Sequence, residues 1–251
     1  MRPAHLSVSQ VNLYLRCPRA YLFRYIERRE PERASIDLVF GKAVHSAIGW
    51  WVEERLKGVV PEGTALARTF RADFTAESTI DKLDLDDKDP AELKTLGERL
   101  VGLAAHALSA VTPVASELRF EVELIDPISR RALPVPLLGF IDLVLEEDVI
   151  GEIKTAARKT SVGSYLLQLA AYRYAWRKTK NSIPRLQVIE LLKTKEPDIL
   201  VIEADVSDRD ERWFAEVATA AYASITRDAF HPVPNYLCGR CEYRQACRKT
   251  A

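Results

Sequence analysis

Apolar residues recur at helical spacing through the amino-terminal part of the chain and at alternate positions through its middle. Ser7 and Gln10 have capping-box spacing ahead of a short helix, which Cys17-Pro18 interrupts before a helical pattern resumes over 21–26. Further helices are predicted over 41–56, 66–80, 91–111, 164–180 and 208–230, with an acidic loop over 81–90. Strands are predicted over 117–125, 140–145, 149–153, 185–192 and 199–204.

This order (helices, three strands, a helix, two strands and a helix) predicts an α/β sandwich with a mixed central sheet flanked by helices. A chain of 251 residues is long enough for one domain with a sizeable core. We therefore expect a single domain over 1–251. Its expected parts are a mainly helical region over 1–112, a catalytic sheet core over 113–206, and a last helix with a cysteine-rich tail over 207–251.

Two predicted strands contain the charged residues that indicate a chemical function most clearly. Asp142 lies in the apolar run 140–145, and Glu152 and Lys154 lie in the run 149–153 and directly after it. If a tight loop centred on Glu147 joins the strands, Asp142 and Glu152 face each other, and Lys154 shares the face of Glu152. Two carboxylates this close repel each other unless a cation lies between them, which indicates a divalent metal site.

The alternative for this hairpin is a surface with scattered charges. The residues around Asp142 are apolar on both faces, namely Leu138, Phe140, Leu143, Val144 and Leu145. Strands buried on both faces rarely hold an unpaired carboxylate. The pattern therefore favours the metal site.

Composition excludes few classes of protein. The chain is 47% hydrophobic and 29% charged, as is ordinary for a globular protein, and it has neither a membrane-spanning run nor a signal-peptide pattern at its start. We expect a cytoplasmic location without membrane contact. Lys+Arg and Asp+Glu number 36 each, so that only local basic clusters favour nucleic-acid binding. Such clusters lie at 16–29, 158–159, 173–178 and 240–248.

Four cysteines have a pattern typical of metal chemistry. Cys238, Cys241 and Cys247 form C-x2-C-x5-C in the tail, and Cys17 lies near the start. In a cytosolic protein such spacing favours zinc or an iron–sulfur cluster over disulfides. One zinc knuckle with an unrelated buried Cys17, or four separate structural cysteines, remain as alternatives.

Other candidates are weaker when taken alone. His45 is a single histidine on a predicted helix, and such a residue is ordinarily not a ligand. Gln168 and Tyr172 lie four apart on one helix face, where they could bind a phosphate or brace Lys154. Glu117 and Glu121 lie at even spacing on one strand, so either could reach the metal site.

Taken together, these motifs resemble the RecB-like branch of the PD-(D/E)XK nucleases that carries an iron–sulfur cluster. This branch includes the AddB nuclease domain and the CRISPR-associated RecB-like exonucleases. The resemblance lies in the cysteine motif at Cys17, the G-x-x-x-H motif at 41–45, the G-x-x-D motif at 139–142, the E-x-K motif at 152–154, the Q-x-x-x-Y motif at 168–172 and the cysteine tail. Many relatives have Asp where this chain has Glu152.

The resemblance implies a restriction-endonuclease-like core and a site for Mg2+ or Mn2+. It implies His45, Asp142, Glu152 and the main-chain carbonyl of Ile153 as metal ligands. It implies that Lys154 orients or deprotonates a water molecule, and that Gln168 and Tyr172 position Lys154 and the DNA backbone. A structural 4Fe–4S cluster is implied at Cys17, Cys238, Cys241 and Cys247. Glu117 or Glu121 would supply the family's further acidic residue.

The function expected from the sequence is a metal-dependent DNA exonuclease that acts on single strands or frayed ends, with a role in CRISPR adaptation or recombinational repair. Two alternatives from other classes remain. One is a non-catalytic DNA-binding or assembly subunit, and the other is a zinc-stabilised phosphodiesterase that acts on RNA. The sequence leaves open the polarity of digestion and the oligomeric state.

Overall fold

A computed structural model describes residues 3–79 and 83–249. Its longer helices are α1 (Val8–Arg16), α3 (Ile36–Leu56), α4 (Gly63–Ser78), α5 (Pro90–Leu108), α6 (Leu166–Lys180) and α7 (Asp208–Thr226), and its short helices are α2 (Pro18–Tyr21) and α8 (Arg244–Lys249). A π-helical turn over Leu22–Ile26 and 3-10 turns over Val162–Tyr165 and Tyr236–Arg240 complete the helical segments. Its strands are β1 (Ala34–Ser35), β2 (Leu83–Asp84), β3 (Pro113–Ile125), β4 (Ala132–Leu145), β5 (Val149–Ala156), β6 (Arg185–Leu192) and β7 (Asp198–Ala204).

Five strands form a mixed sheet in the order β3-β4-β5-β6-β7. β4 and β5 are antiparallel, β5 and β6 are parallel, and β6 and β7 are antiparallel. The parallel pair of β5 and β6 is connected through α6, as a parallel connection requires. The predicted mixed α/β fold is therefore confirmed. No helix in the described part of the chain has the length and apolar character that a membrane span needs.

Contacts group the described residues into two units. The central unit comprises residues 34–79, 83–119 and 140–206, and the terminal unit comprises residues 3–33, 120–139 and 207–249. Each unit is assembled from segments that are distant in sequence, unlike the three consecutive parts expected from the pattern. That a single domain covers 1–251 stays a prediction.

The core of the central unit lies among α3, α4, α5 and the sheet. Phe40, Phe70 and Phe74 are almost completely buried, and their ring centroids lie 5.4–6.1 Å apart. Gly97 of α5 lets Phe70 approach, because a Cβ at Gly97 would lie 1.9 Å from the Phe70 ring. This packing fixes α3, the helix that carries His45.

The terminal unit joins distant segments through aromatic and polar contacts. The Tyr21 ring lies 5.6 Å from that of Tyr14 and 6.3 Å from that of Phe230. The Tyr14 hydroxyl donates to the Ala229 carbonyl, and Arg19 Nε donates to the Phe230 carbonyl. The first residues of this unit are thus fastened to the segment that follows α7.

Several predicted boundaries were wrong. α3 begins at Ile36 rather than residue 41, because Ser35 caps it and Ile36, Val39 and Phe40 are core residues. α7 ends at Thr226 rather than at residue 230. Asp228, two residues beyond this end, has a left-handed φ of 56°. The predicted helix end at Ile80 and the loop residues Asp81 and Lys82 lie outside the described residues.

β4 is much longer than the predicted strand over 140–145. Two prolines in its first part made that part look unlike a strand in the sequence. Pro136 keeps a role in pairing, since its carbonyl accepts a hydrogen bond from the Leu6 main chain. Leu6 in turn forms a parallel bridge with Leu137. Proline removes one donor but leaves the acceptor, so the strand persists.

Candidate metal centre

Three elements of the central unit bring His45, Glu117 and Asp142 together. His45 comes from α3, Glu117 from β3 and Asp142 from β4, and one donor atom of each lies within 4.8 Å of the others. His45 Nδ1 lies 3.8 Å from Asp142 Oδ2. An imidazole and two carboxylates at this spacing can hold a divalent cation.

Glu117 reaches the group through an unusual backbone conformation. Its φ is 50°, a left-handed value in the middle of a strand, which is typical of a bulge that re-aims a side chain. Glu117 and Glu121 were equal candidates from the alternation of the strand. Among the described residues, Glu117 is the one of the two whose carboxylate joins His45 and Asp142.

Asp142 lies opposite Glu152 when the register of the hairpin is continued by one residue. Leu143 pairs with Gly151 and Leu145 with Val149, so the turn is centred on Glu147, as predicted. Glu147 and Asp148 both have positive φ, as a tight primed turn requires. Asp142 Oδ2 accepts a hydrogen bond of 2.9 Å from the Ile153 N–H. The Ile153 main chain also hydrogen-bonds the His45 ring.

Glu152 is completely buried and is held by two partners. Its Oε2 accepts a hydrogen bond of 2.7 Å from the Tyr172 hydroxyl, and its Oε1 forms an ion pair with the Lys154 ammonium. The Lys154 side chain is 31% exposed and lines the adjoining cleft. Lys154 therefore reaches from a buried carboxylate to the solvent-filled space where a substrate would lie.

Gln168 and Tyr172 form a relay on one face of α6. Gln168 Nε2 donates a hydrogen bond of 2.9 Å to the Tyr172 hydroxyl, which donates to Glu152. The sequence interpretation directed this pair at Lys154 itself. In the structure the relay reaches Lys154 through Glu152.

Burial dominates the electrostatics of the site. Desolvation raises the pKa of Glu152 to about 7, and the nearby charge of Asp142 contributes in the same direction. Desolvation also raises the pKa of Asp142, and it lowers the pKa of His45, to which the Lys154 charge adds. In this environment the imidazole is neutral, and the carboxyl groups resist ionisation unless a positive charge lies nearby. A bound cation supplies that charge and stabilises the ionised carboxylates.

These residues fit a divalent metal of the hard, oxygen-preferring kind. The donor set of His45, Glu117 and Asp142 is rich in carboxylate oxygen, which suits Mg2+ and Mn2+. Glu152 Oε1 is buried without a hydrogen-bond donor other than its ion-pair partner Lys154. The ligand roles of Glu152 and of the Ile153 carbonyl stay predictions.

A cleft of about 860 Å3 adjoins these residues within the central unit. His45, Glu117 and Lys154 line it together with one face of α3. The sequence interpretation singled out Gly41 and His45 of this helix but not Gly49 or Trp50. The signal for Gly49 was the four-residue spacing of Gly41, His45 and Gly49, which places the three on one helix face.

All four cysteines line one pocket of about 200 Å3 in the terminal unit. Cys17 comes from the junction of α1 and α2, and the other three come from the tail. Glu32 fastens the tail by accepting hydrogen bonds from the N–H groups of Gln245 and Ala246. The tertiary structure thus brings together thiols that are separated by most of the chain.

The mixed sheet, the hairpin carboxylates and the histidine of the preceding helix define a nuclease that uses divalent metal ions. The chain belongs to the PD-(D/E)XK nuclease superfamily, whose family model matches residues 5–248. This match covers both units. Among curated proteins, none matches the chain.

A solved structure shares the fold. A crystal structure of a "putative exonuclease" from Eubacterium rectale aligns with a TM-score of 0.63 and 16% sequence identity, over 99% of this chain and 88% of that chain. At this identity the similarity shows the fold alone. The structure of SSO0001 aligns with a TM-score of 0.40 and 10% identity, over 97% of this chain and 94% of that chain, which is too low to carry an argument.

Proposed function

We propose that this protein is a metal-dependent DNA exonuclease that acts on single strands or frayed ends. The convergence of His45, Glu117 and Asp142 beside Glu152 and Lys154 carries the proposal. The similarity to the RecB-like branch supports DNA as the substrate and CRISPR adaptation or recombinational repair, in the cytoplasm, as the setting.

His45 and Asp142 would hold Mg2+ or Mn2+, with Glu152 and the Ile153 carbonyl as the other ligands expected from the resemblance. Glu117 is a further candidate ligand because its carboxylate lies within 4.8 Å of theirs. When bound, the ion lowers the pKa of a water molecule and offsets charge on the scissile phosphate.

Lys154 orients the attacking water and counters the negative charge that develops on the phosphate. Its ammonium lies between Glu152 and the open cleft, so it can contact both the carboxylate and a phosphate oxygen. In hydrolysis the water oxygen forms a bond to phosphorus, and the bond to the leaving oxygen breaks. The water proton passes to solvent, and the leaving oxygen takes up a proton from solvent.

Gln168 and Tyr172 act as positioning residues in this proposal. Their hydrogen bonds fix the Glu152 carboxylate, and Glu152 fixes Lys154. The hydrogen bond between Tyr172 and Glu152 is buried and is therefore shielded from water, while Gln168 is partly buried.

We further propose that Cys17, Cys238, Cys241 and Cys247 bind a structural 4Fe–4S cluster. All four thiols line one pocket, which supports a centre that they bind together, and four thiolates suit an iron–sulfur cluster by number. Arg19, Arg244 and Arg248 also line this pocket.

Iron, sulfide and zinc analysis of anaerobically purified protein tests the cluster. We expect iron and acid-labile sulfide in equal amounts together with a broad visible absorbance band. Cys238→Ser should lose the band. Bound zinc without iron would contradict the proposal.

A nuclease assay with end-labelled single- and double-stranded DNA, with and without Mn2+, tests the catalytic proposal. We expect Mn2+-dependent shortening from an end, faster on single strands, and no cleavage by Asp142→Ala or Lys154→Ala. Both variants should keep the visible absorbance of the wild type. Preferential cleavage of RNA would favour the RNA phosphodiesterase, and DNA binding without cleavage would favour the non-catalytic subunit.

A further inference from the structure

One face of α3 forms a continuous wall of the cleft beyond the metal centre. Its cleft-lining positions recur every three or four residues, from Leu38 through His45 to Glu53. From Gly41 to Glu53 this wall extends about 18 Å along the helix axis. The metal centre occupies one part of the wall and leaves the rest for other contacts.

Gly49 leaves space on this wall one turn beyond His45. A Cβ built at Gly49 would meet no atom within 4 Å, so glycine is not required there by packing. Glycine in a helix interior costs about 1 kcal/mol relative to alanine. The residue therefore weakens the helix without relieving any clash within the protein, and its effect is to keep the cleft open.

Trp50 lies beside this open space and also lines the cleft. Its side chain is partly buried because it packs against the core of the central unit. An indole anchored in this way has a fixed orientation and still presents surface to the cleft. Fixed aromatic surfaces of this kind bind unpaired nucleobases by stacking, at about 1–3 kcal/mol per base.

Charged side chains of both signs line the cleft. Lys42 and Lys154 lie near His45 together with the carboxylate of Glu117, and they can attract a phosphate once a cation offsets that carboxylate. Asp37 also lines the cleft and is paired with Lys88 and Lys193. Glu53 lines the cleft beyond Trp50, where a phosphate would be repelled. A carboxylate suits a base edge, since it accepts hydrogen bonds from exocyclic amino groups.

We propose that Trp50, with the space left by Gly49, is a stacking site for one unpaired nucleobase of the substrate strand. This inference rests on the proposed nuclease function and requires that the substrate contain an unpaired nucleobase. Trp50 follows His45 by five residues, or about 7.5 Å along the axis. The stacked base therefore lies within a few nucleotides of the cut. A base in this site cannot remain paired, so the site selects single strands and frayed ends.

Binding of two oligomers that differ only in their bases tests the site. One is a short fluorescent oligodeoxyadenylate, and the other is a wholly abasic oligomer of the same length and charge. Affinity is measured by fluorescence anisotropy in EDTA, which prevents cleavage. We expect the wild type to bind the oligodeoxyadenylate about 5- to 150-fold more tightly, as a stacking energy of 1–3 kcal/mol implies.

Trp50→Ala should lose this preference by weakening binding to the oligodeoxyadenylate alone, and Trp50→Phe should recover much of it. Trp213→Ala is the matched control, because Trp213 is 44% exposed on α7 and does not line the cleft. Equal losses for both oligomers in Trp50→Ala, or no loss for either, would overturn the inference.

The same variants in the nuclease assay separate this inference from the proposed function. We expect Trp50→Ala to raise KM for single-stranded DNA and to change kcat little. A wild type without metal-dependent cleavage would contradict the nuclease proposal, while the anisotropy comparison would still decide the stacking site. An active wild type with an unchanged Trp50→Ala variant would contradict only the stacking site.

Discussion

The Tyr172 hydroxyl donates a 2.7 Å hydrogen bond to Oε2 of Glu152, a carboxylate with no exposed surface. This contact joins α6 to β5 at the residue that is also paired with Lys154. The helix after the hairpin is thereby coupled to the strand that carries Glu152 and Lys154.

Tyr172→Phe should therefore impair both stability and cleavage. The substitution leaves a buried carboxylate oxygen without its donor, at a cost of about 1–3 kcal/mol. We expect kcat to fall about 10- to 100-fold, as for other residues that orient a metal ligand. Tyr236→Phe is the matched control, since that side chain is 91% exposed and should leave both quantities unchanged. A Tyr172→Phe variant with wild-type kcat would show that the relay does not position the site.

Changing Glu117 to Gln should weaken the response to Mn2+, whereas changing Glu121 to Gln should not. The Glu117 carboxylate lies within 4.8 Å of the His45 and Asp142 donor atoms, and the substitution removes its charge. We expect the Mn2+ concentration for half-maximal cleavage to rise by roughly 10-fold or more in Glu117→Gln. Glu121→Gln, on the same strand, should keep the wild-type value. Calorimetric Mn2+ titration of both variants gives an independent measurement, and equal behaviour would remove Glu117 from the site.

The metal-free protein should lose stability as the pH rises from 4.5 to about 7. Glu152 has a folded pKa of about 7 against 4.5 when exposed, so in this interval the unfolded chain releases its proton first and unfolding is favoured. The loss is on the order of 3 kcal/mol from this group alone. The lowered pKa of His45 acts in the opposite direction below pH 6.5.

Comparison with Glu152→Gln isolates the contribution of Glu152. Urea denaturation in EDTA should show a flatter pH profile for this variant, because its side chain does not titrate. Added Mn2+ should stabilise the wild type more at higher pH, since ligands must be deprotonated to bind. Parallel profiles for the two proteins would contradict a raised Glu152 pKa.

Gly97→Ala should destabilise the central unit, although alanine favours helices. Its Cβ would lie 1.9 Å from the Phe70 ring, and that ring is held by Phe40 and Phe74. Overpacking of this kind costs about 1–3 kcal/mol. Gly102→Ala on the same helix meets no atom within 4 Å and should gain up to about 1 kcal/mol. Thermal unfolding of the two variants should move in opposite directions, and a shared direction would contradict the packing argument.

The sequence by itself determined the elements whose signals are local. The turn centred on Glu147 and the facing of Asp142 and Glu152 follow from strand alternation over a short hairpin, and the register agrees. β6 has the predicted bounds, and its mainly apolar residues are flanked by Pro184 and Lys193.

Only the tertiary structure decided which distant residues meet. The choice of Glu117 over Glu121 depends on a left-handed φ that strand alternation cannot indicate. The target of Tyr172 depends on how α6 packs against β5, and the shared pocket of Cys17 with the tail depends on how the terminal unit closes. Local patterns record periodicity and turns, whereas these contacts arise from packing between segments separated by many residues. Trp50 and Gly49 became candidates only when the cleft wall of α3 was known.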